Sequence, residues 1–257
     1  SPSVTSPQLT EQGFETTFRV ITRDDTWPRL AADSFYSTYA MRSAAVIMME
    51  DYLDNWTTDV FTDTFGTVLG GTITSVNTIT STDAFTDTLT QIQLEGAHVI
   101  YFPYDDSETA GLLAQTASNL GMVDTPIAWN SMSEAKSMLL PGYDSVAGPA
   151  AEMNYNIFYY REPAEMPGYA EFNAAYVAAE FPEYGDEAQM WGAFAYDAAK
   201  IALDAIDRAD STDPALIRDA LAAMPGHEGV VGTYEGFDDK GDVIPQWGDM
   251  MRSLNGD

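Results

Sequence analysis

The chain has 257 residues, of which 45% are hydrophobic and 12% aromatic, so it can bury a substantial core and is not a disordered segment. Its 40 acidic and 11 basic residues give a formal net charge of −29 at pH 7. This charge excludes nucleic acid and anionic membrane as partners, because both are polyanions. The absence of Cys excludes disulfides, thiolate metal sites and a Cys nucleophile.

The acidic residues are spread through segments that have the pattern of folded structure, and only three residues are Lys. A folded surface of this kind repels itself unless salt screens the charges. We interpret the composition as adaptation to high salt. An ordinary acidic secreted protein is the alternative.

The first half of the chain alternates predicted strands and helices. Residues 14–25 have the β-branched alternation of an extended segment, and residues 28–41 have the apolar stripe of a helix. A strand buried on both faces is predicted over 43–50, followed by strands at 72–80, 97–104 and 125–131 and helices at 54–71, 83–96, 107–121 and 133–140. Asp83 is predicted to cap its helix and Gly96 to end it. Such repeats predict a parallel sheet with helices on both faces and ligand groups at the carboxyl ends of its strands.

The composition of the sequence changes in the second half of the chain. Residues 154–169 are aromatic and then proline-rich, which indicates a segment that crosses between two lobes. Three helices are predicted at 169–181, 187–209 and 213–224. The second is nearly apolar in its first half, so we expect that half to be buried. The remainder, 229–257, is predicted to form short strands joined by tight turns.

In this order the pieces resemble those of the type 1 periplasmic binding proteins, specifically the branched-chain amino-acid receptors of ABC transporters. The matching stretches are SPSVTSPQLT, FRVITRDD, LGGTIT, DAFTDTLTQI, VIYFPYDDSETAGLLAQ, AFAYDAAKIALDAI and GVVGTYEGFDDKGD. The resemblance implies a two-lobed α/β fold, with parallel sheets flanked by helices and a ligand held in the cleft between lobes.

The resemblance also implies a domain organisation. Residues 1–21 would be a fragment of lobe 1, residues 22–156 lobe 2, residues 157–246 the remainder of lobe 1, and residues 247–257 a C-terminal tail of lobe 2. On this assignment lobe 1 is incomplete in this chain, because its leading strand–helix units are absent. We therefore expect the native protein to be larger than the chain.

Two candidate ligand-binding groups follow from the matched stretches. The resemblance puts the opening loop at the cleft, where Ser3, Val4 and Thr5 would offer backbone N–H and hydroxyl groups to a polar ligand head. A carboxylate removed from water needs several such donors. Tyr104 and Asp105 follow a buried strand, where Tyr104 would line the pocket and Asp105 would pair with an ammonium group. An ordinary surface loop, and capping of the next helix by Asp106 or Ser107, are the alternatives.

Further candidates lie after two other strands. Tyr52 and Trp56 match a loop in which the family often carries an aromatic residue against the ligand, although Trp56 also fits core packing. Trp129, Asn130 and Ser131 occupy the strand end where amino-acid receptors can carry an acidic residue for the ligand ammonium, and Ser131 stands at that position. The difference leaves open an amino acid, an amide, a small aromatic acid or a polyol.

Catalytic motifs are absent from the sequence. There are two His residues and no nucleophile elbow, HExxH motif, P-loop or dinucleotide turn. The stretch FDDKGD favours a turn over a calcium loop. We expect no enzymatic activity, no cofactor and no bound metal. The predicted function is that of an extracytoplasmic solute-binding protein, periplasmic or anchored at the cell surface, that works with an ABC permease. A ligand-sensing ectodomain or regulator of the same fold is the first alternative, and an α/β enzyme the second.

Overall fold

The computed structural model describes residues 1–51, 55–131, 136–152, 154–158, 165–179, 188–246 and 249–252. The chain divides into two compact units: unit 1 comprises Ser1–Asp24 and Tyr160–Trp247, and unit 2 comprises Asp25–Tyr159 and Gly248–Asp257. The predicted lobe boundaries differ from these by no more than three residues. The assignment of the units to lobes of the family stays a prediction.

The described helices and strands alternate through the first half of the chain, as predicted. The helices are α1 Gln8–Glu11, α2 Thr26–Asp33, α3 Asn55–Thr62, α4 Phe85–Glu95, α5 Ser107–Asn119, α6 Lys136–Ala147, α7 Tyr169–Ala178, α8 Met190–Ala209 and α9 Pro214–Ala222. π-Helical turns at Ser34–Thr38 and Asp63–Val68 continue α2 and α3. The strands are β1 Ser43–Met49, β2 Thr72–Ile79, β3 Val99–Phe102, β4 Ile127–Ser131, β5 Tyr155–Phe158, β6 His227–Glu228, β7 Thr233–Tyr234, β8 Gly236–Phe237, β9 Val243–Ile244 and β10 Asp249–Arg252.

Unit 2 is built on a six-stranded sheet with the order β10-β5-β4-β3-β1-β2. Its strands pair in parallel except for β10, which runs antiparallel to β5 at one edge. The parallel sheet predicted from the strand–helix alternation is therefore confirmed. Parallel strands bring their carboxyl ends, and the loops that follow them, to a common edge.

The strand β1 is buried on both faces, which confirms the interpretation of its continuous apolar run. Ala45 and Ile47 belong to a core formed with α4 and α5, while Ala44 and Val46 point to the other face. All four side chains are fully buried. Such burial contributes about 1.5–3 kcal/mol for a side chain of the size of Val46 or Ile47.

The helix ends follow the sequence signals in two places. Gly96 adopts a φ of 73° after α4, and its N–H donates to the carbonyl of Ile92 over 3.1 Å. Only glycine takes this conformation without a steric cost, so the predicted end of the helix is confirmed. The carboxylate of Asp106 caps α5 by accepting the N–H of Thr109 over 2.7 Å, which confirms a capping role at this end.

Two helix predictions are wrong. Asp83 does not cap α4, because it lies in a 3-10 turn over Thr82–Ala84 and no side chain caps the following helix. The turn itself supplies a hydrogen bond, from the N–H of Ala84 to the carbonyl of Ser81. The predicted end of the helix over 133–140 is also wrong, because α6 is described from Lys136 and continues to Ala147, where Tyr143 and Ala147 bury against α5. This packing continues the helix through Pro141 and Gly142.

Unit 1 contains α1, α7, α8 and α9 with two short antiparallel ladders, β6–β7 and β8–β9. The two-residue strands β7, β8 and β9 confirm the short strands predicted after residue 229, whereas β6 begins before it. The core of buried Val20, Ile201, Met224, Tyr234 and Val243 joins α8 to the ladders, and Leu221 of α9 packs against it.

The prediction that the first half of α8 is buried holds for one of its faces only. Phe194 is 2% exposed, whereas Tyr196 is 47% exposed, because the helix packs one face on the unit 1 core. This half of α8 is thus buried on one face and exposed on the other, although its sequence is nearly apolar. Within the described parts of the chain, no helix is both long enough and apolar enough to cross a bilayer.

Candidate ligand-binding site

The loops after β1 and β3 bring two candidate polar groups of unit 2 together. These strands are parallel neighbours, with Ala45 opposite Ile100 in the register. The phenol of Tyr104 donates a long hydrogen bond to Oδ2 of Asp51, over 3.4 Å. Tyr104 is half-buried and Asp51 is exposed. The pair leaves a phenol and a carboxylate accessible at the edge where a parallel sheet presents ligand groups.

The phenol of Tyr104 is held in its protonated form. Partial burial raises the pKa of Tyr104 above its usual value, and the negative charges of Asp51 and Asp106 raise it further. A protonated phenol both donates and accepts hydrogen bonds. Asp105, the next residue, is also half-buried and adds a second carboxylate to the same loop.

The structure places the other candidate ligand-binding residues of unit 2 in different environments. Trp129 is 1% exposed and stacks on Tyr143 with 4.9 Å between ring centroids, so its ring belongs to the core. The prediction that Trp129 contacts the ligand is therefore wrong, because β4 lies inside the sheet and its described side chains are buried on both faces. Trp56 lies in α3 and is partly buried. Asn130 and Ser131 end β4.

Some of these candidates lie outside what the structure describes. Tyr52 lies outside the described residues altogether. The side chains of Asn130 and Ser131 also lie outside them, although both backbones pair with β5. The roles suggested for these three residues stay predictions.

The opening loop of unit 1 presents backbone donors. Ser3 and Val4 are exposed, and Thr5 and Ser6 are half-buried. The hydroxyl of Thr5 donates to Oδ2 of Asp24 over 2.9 Å. Among the residues that the structure describes, the backbone N–H groups of Thr5 and Ser6 have no hydrogen-bond partner. The loop therefore carries two adjacent donors suited to an anionic group.

A buried arginine behind this loop is the feature that the sequence analysis missed. Arg19 is fully buried, and its guanidinium forms an ion pair with Asp242, with 2.7 Å from Nε to Oδ1. Asp242 also accepts from Arg23 over 2.8 Å and from the hydroxyl of Thr10 over 2.8 Å. A charged residue inside the apolar run FRVI is the signal that could have indicated it, because a buried charge requires a partner.

The stretch FDDKGD forms a turn, as predicted. Oδ1 of Asp238 accepts the backbone N–H groups of Lys240 and Asp242, each over 2.9 Å. Gly241 has a φ of 90°, and a Cβ there would lie 2.1 Å from the carbonyl oxygen of Thr17, so only glycine fits. Within the described parts of the chain, no cluster of three or more His, Asp or Glu side chains has the arrangement of a metal site.

Comparison with known proteins agrees with this architecture. A family model described as a periplasmic binding protein matches residues 1–247. The chain belongs to this family. Its fold is the type 1 fold of two-lobed solute receptors, which confirms the fold class implied by the resemblance.

Relatives in the family carry names that refer to branched-chain amino acids. A Leu/Ile/Val-binding protein homologue from Brucella suis is 26% identical over 243 residues, which is 94% of this chain and 62% of that protein. The chain therefore spans less than two thirds of that relative's length.

Two solved structures share the fold. A putative branched-chain amino acid ABC transporter protein from Rhodospirillum rubrum has a TM-score of 0.80 at 23% identity, covering 100% of this chain and 70% of its own. A leucine-binding protein from Thermotoga maritima has a TM-score of 0.73 at 24% identity, covering 100% of this chain and 69% of its own. These likenesses extend over the whole described chain and concern the fold.

Proposed function

We propose that the protein is an extracytoplasmic solute-binding protein that delivers an amino acid, or a related small acid or amide, to the permease of an ABC importer. Family membership supports binding of a solute rather than catalysis. The names of its relatives, which refer to leucine, isoleucine and valine, favour an amino acid with an apolar side chain. The protein would act outside the membrane, either in the periplasm or anchored at the cell surface.

The observation that carries this proposal is the match of the periplasmic binding protein family to residues 1–247, and each unit by itself has chemistry that suits one end of an amino acid. Unit 1 offers backbone N–H donors at Thr5 and Ser6, and unit 2 offers the carboxylates of Asp51 and Asp105 beside the Tyr104 phenol. An α-amino acid carries one carboxylate and one ammonium group, and each needs a partner of opposite character when it leaves water. One set of groups suits each end of such a ligand.

The ligand would be held between two closing lobes, as in other members of the family. Ser131 cannot neutralise an ammonium group, so the charge would be balanced elsewhere. Asp51 follows β1 and Asp105 follows β3, both lie in the loops that meet at Tyr104, and we assign this role to them.

Binding measured by calorimetry tests the proposal. Leucine, isoleucine and valine are titrated into the ligand-free protein, after mass spectrometry of any small molecule that co-purifies with it. Asp105→Asn should weaken binding of the preferred amino acid at least tenfold, or about 1.4 kcal/mol. Tyr104→Phe should weaken it about fivefold, since one hydrogen bond contributes about 1 kcal/mol.

Asp124→Asn is the matched control, because Asp124 is an exposed carboxylate in the turn that precedes β4, at the opposite edge of the sheet. It should bind ligand like the parent, and all three variants should melt within about 2 °C of the parent without ligand. Unchanged affinity in both site variants would show that the strand-end assignment is wrong. Chemical conversion of the bound compound would favour an enzyme instead.

A further inference from the structure

The guanidinium of Arg19 contacts three successive carbonyl oxygens of the opening loop. Its Nη1 donates to the carbonyls of Val4, Thr5 and Ser6, over 3.2, 2.8 and 2.7 Å. The backbone N–H of Asp24 also donates to the Thr5 carbonyl, over 3.0 Å. All three carbonyls therefore turn toward the buried side of the loop.

This arrangement fixes the direction of the loop's N–H groups. In a planar trans peptide the C=O and N–H of the same unit point in opposite directions. The inward carbonyls of Val4 and Thr5 therefore require the N–H groups of Thr5 and Ser6 to point away from Arg19. The inward carbonyl of Ser6 turns no donor outward, because the next residue is Pro7, which has no N–H.

The guanidinium is itself held on its other edges. Nε donates to Oδ1 of Asp242, and Nη2 donates to the hydroxyl of Thr10 over 2.8 Å. Thr10 in turn donates to Oδ2 of Asp242, so the three side chains form a closed, buried set. The planar fork of an arginine can satisfy these directions together, whereas the single ammonium of a lysine cannot.

We propose that Arg19 is a positioning residue that turns the Thr5 and Ser6 amides into a preformed site for the carboxylate of the ligand. The proposal rests on the proposed function, because it names the group that meets those amides. Two adjacent outward amides form the kind of concavity that binds anions in proteins.

The central experiment compares leucine with leucinol, which has the same side chain and ammonium group and lacks the carboxylate. Arg19→Lys keeps the charge and removes the fork. It should weaken leucine binding at least tenfold more than leucinol binding. Arg23→Lys is the matched control, because Arg23 pairs with the same Asp242, and it should change both affinities equally and by less than about threefold. Equal weakening of leucine and leucinol by Arg19→Lys would overturn the proposal in favour of a purely structural role.

A second variant guards against misfolding. Thr10→Val leaves Arg19 in place but removes the hydroxyl that anchors Nη2. It should produce the same selective loss for leucine, only smaller, in a protein with the circular dichroism spectrum of the parent. If Arg19→Lys does not fold, an absence of selectivity in Thr10→Val overturns the proposal.

A measurement that needs no amino acid separates this proposal from the proposed function. NMR of the ¹⁵N-labelled protein follows the Thr5 and Ser6 amides during titration with acetate, a bare carboxylate. Parent protein should show saturable shifts of these two amides, which Arg19→Lys should lose and Arg23→Lys should keep. Failure of every amino acid to bind, together with these acetate shifts, would refute the amino-acid ligand of the proposed function and support the positioning role. Acetate shifts that persist in Arg19→Lys would overturn the role itself.

Discussion

Asp197 provides a direct test of how unit 1 is held together. Its carboxylate is fully buried in α8 and accepts three hydrogen bonds. Oδ1 accepts the N–H of Val230 over 2.7 Å, and Oδ2 accepts the N–H of Val231 over 3.0 Å and the hydroxyl of Tyr234 over 2.8 Å. Burial, and then the charge of Asp197, raises the pKa of Tyr234, so this phenol stays a donor.

Asp197→Ala should destabilise the protein by at least about 3 kcal/mol. The substitution leaves three buried donors without an acceptor, and each unsatisfied group costs about 1–3 kcal/mol. Asp197→Asn keeps one acceptor oxygen, which can accept the two hydrogen bonds that Oδ2 accepts in the parent. Its amide nitrogen then faces the N–H of Val230, so only one donor is left unsatisfied and the substitution should cost about half as much. The loss is a large part of the total stability of a typical domain, which is about 5–15 kcal/mol.

Urea unfolding monitored by circular dichroism measures these losses from the shift in midpoint at constant slope. Asp204→Asn is the control, because Asp204 lies on the same helix, is 41% exposed and contacts the partly buried ring of His227, over 3.0 Å. It should cost less than about 1 kcal/mol. A loss below about 1 kcal/mol for Asp197→Ala would refute the reasoning, since it would mean that water or a rearranged backbone satisfies all three donors.

Two further predictions concern charge. The free energy of unfolding should rise steeply as NaCl or KCl increases from about 0.1 M to 1 M. Over that range the Debye length falls from about 10 Å to about 3 Å, which screens the mutual repulsion of 40 acidic side chains. Equal unfolding midpoints in 0.05 M and 2 M salt would contradict the high-salt interpretation. Hydrogen bonds from Lys240, at 2.8 Å, and then from Arg23 lower the pKa of Glu11 in the folded protein. The stabilisation that these ion pairs give the folded state is therefore complete above the usual glutamate pKa and is lost as pH falls through the lowered pKa. Glu11→Gln should therefore lower the free energy of unfolding by less than about 1 kcal/mol at pH 7 and by nothing at pH 2, and an equal loss at both values would exclude the ion pairs as its cause.

The candidate site was accessible to sequence reasoning in part. The strand-end rule placed Tyr104 at the edge of the sheet, where its phenol lies beside a carboxylate, while its contact with a ligand stays a prediction. It did not identify Asp51 as that carboxylate, since a sequence does not tell which strands are neighbours. Trp129 was assigned to the ligand from its position at a strand end, but β4 lies inside the sheet and its ring is buried in the core. The neighbouring Ala128, which faces the other side of the sheet, is buried as well, so only the position of β4 in the sheet decided this environment.

The amino-acid sequence by itself determined the α/β class, because the periods of its apolar residues alternate between strand and helix along unit 2. It also determined the acidic surface and the glycine that ends α4, since both depend on local chemistry alone. Only the tertiary structure decided that Arg19 and Asp242, 223 positions apart, form a buried ion pair behind the opening loop. Local pattern cannot reveal such a pair, because the cost of burying each charge is offset by a partner that the folded chain brings from a distant segment.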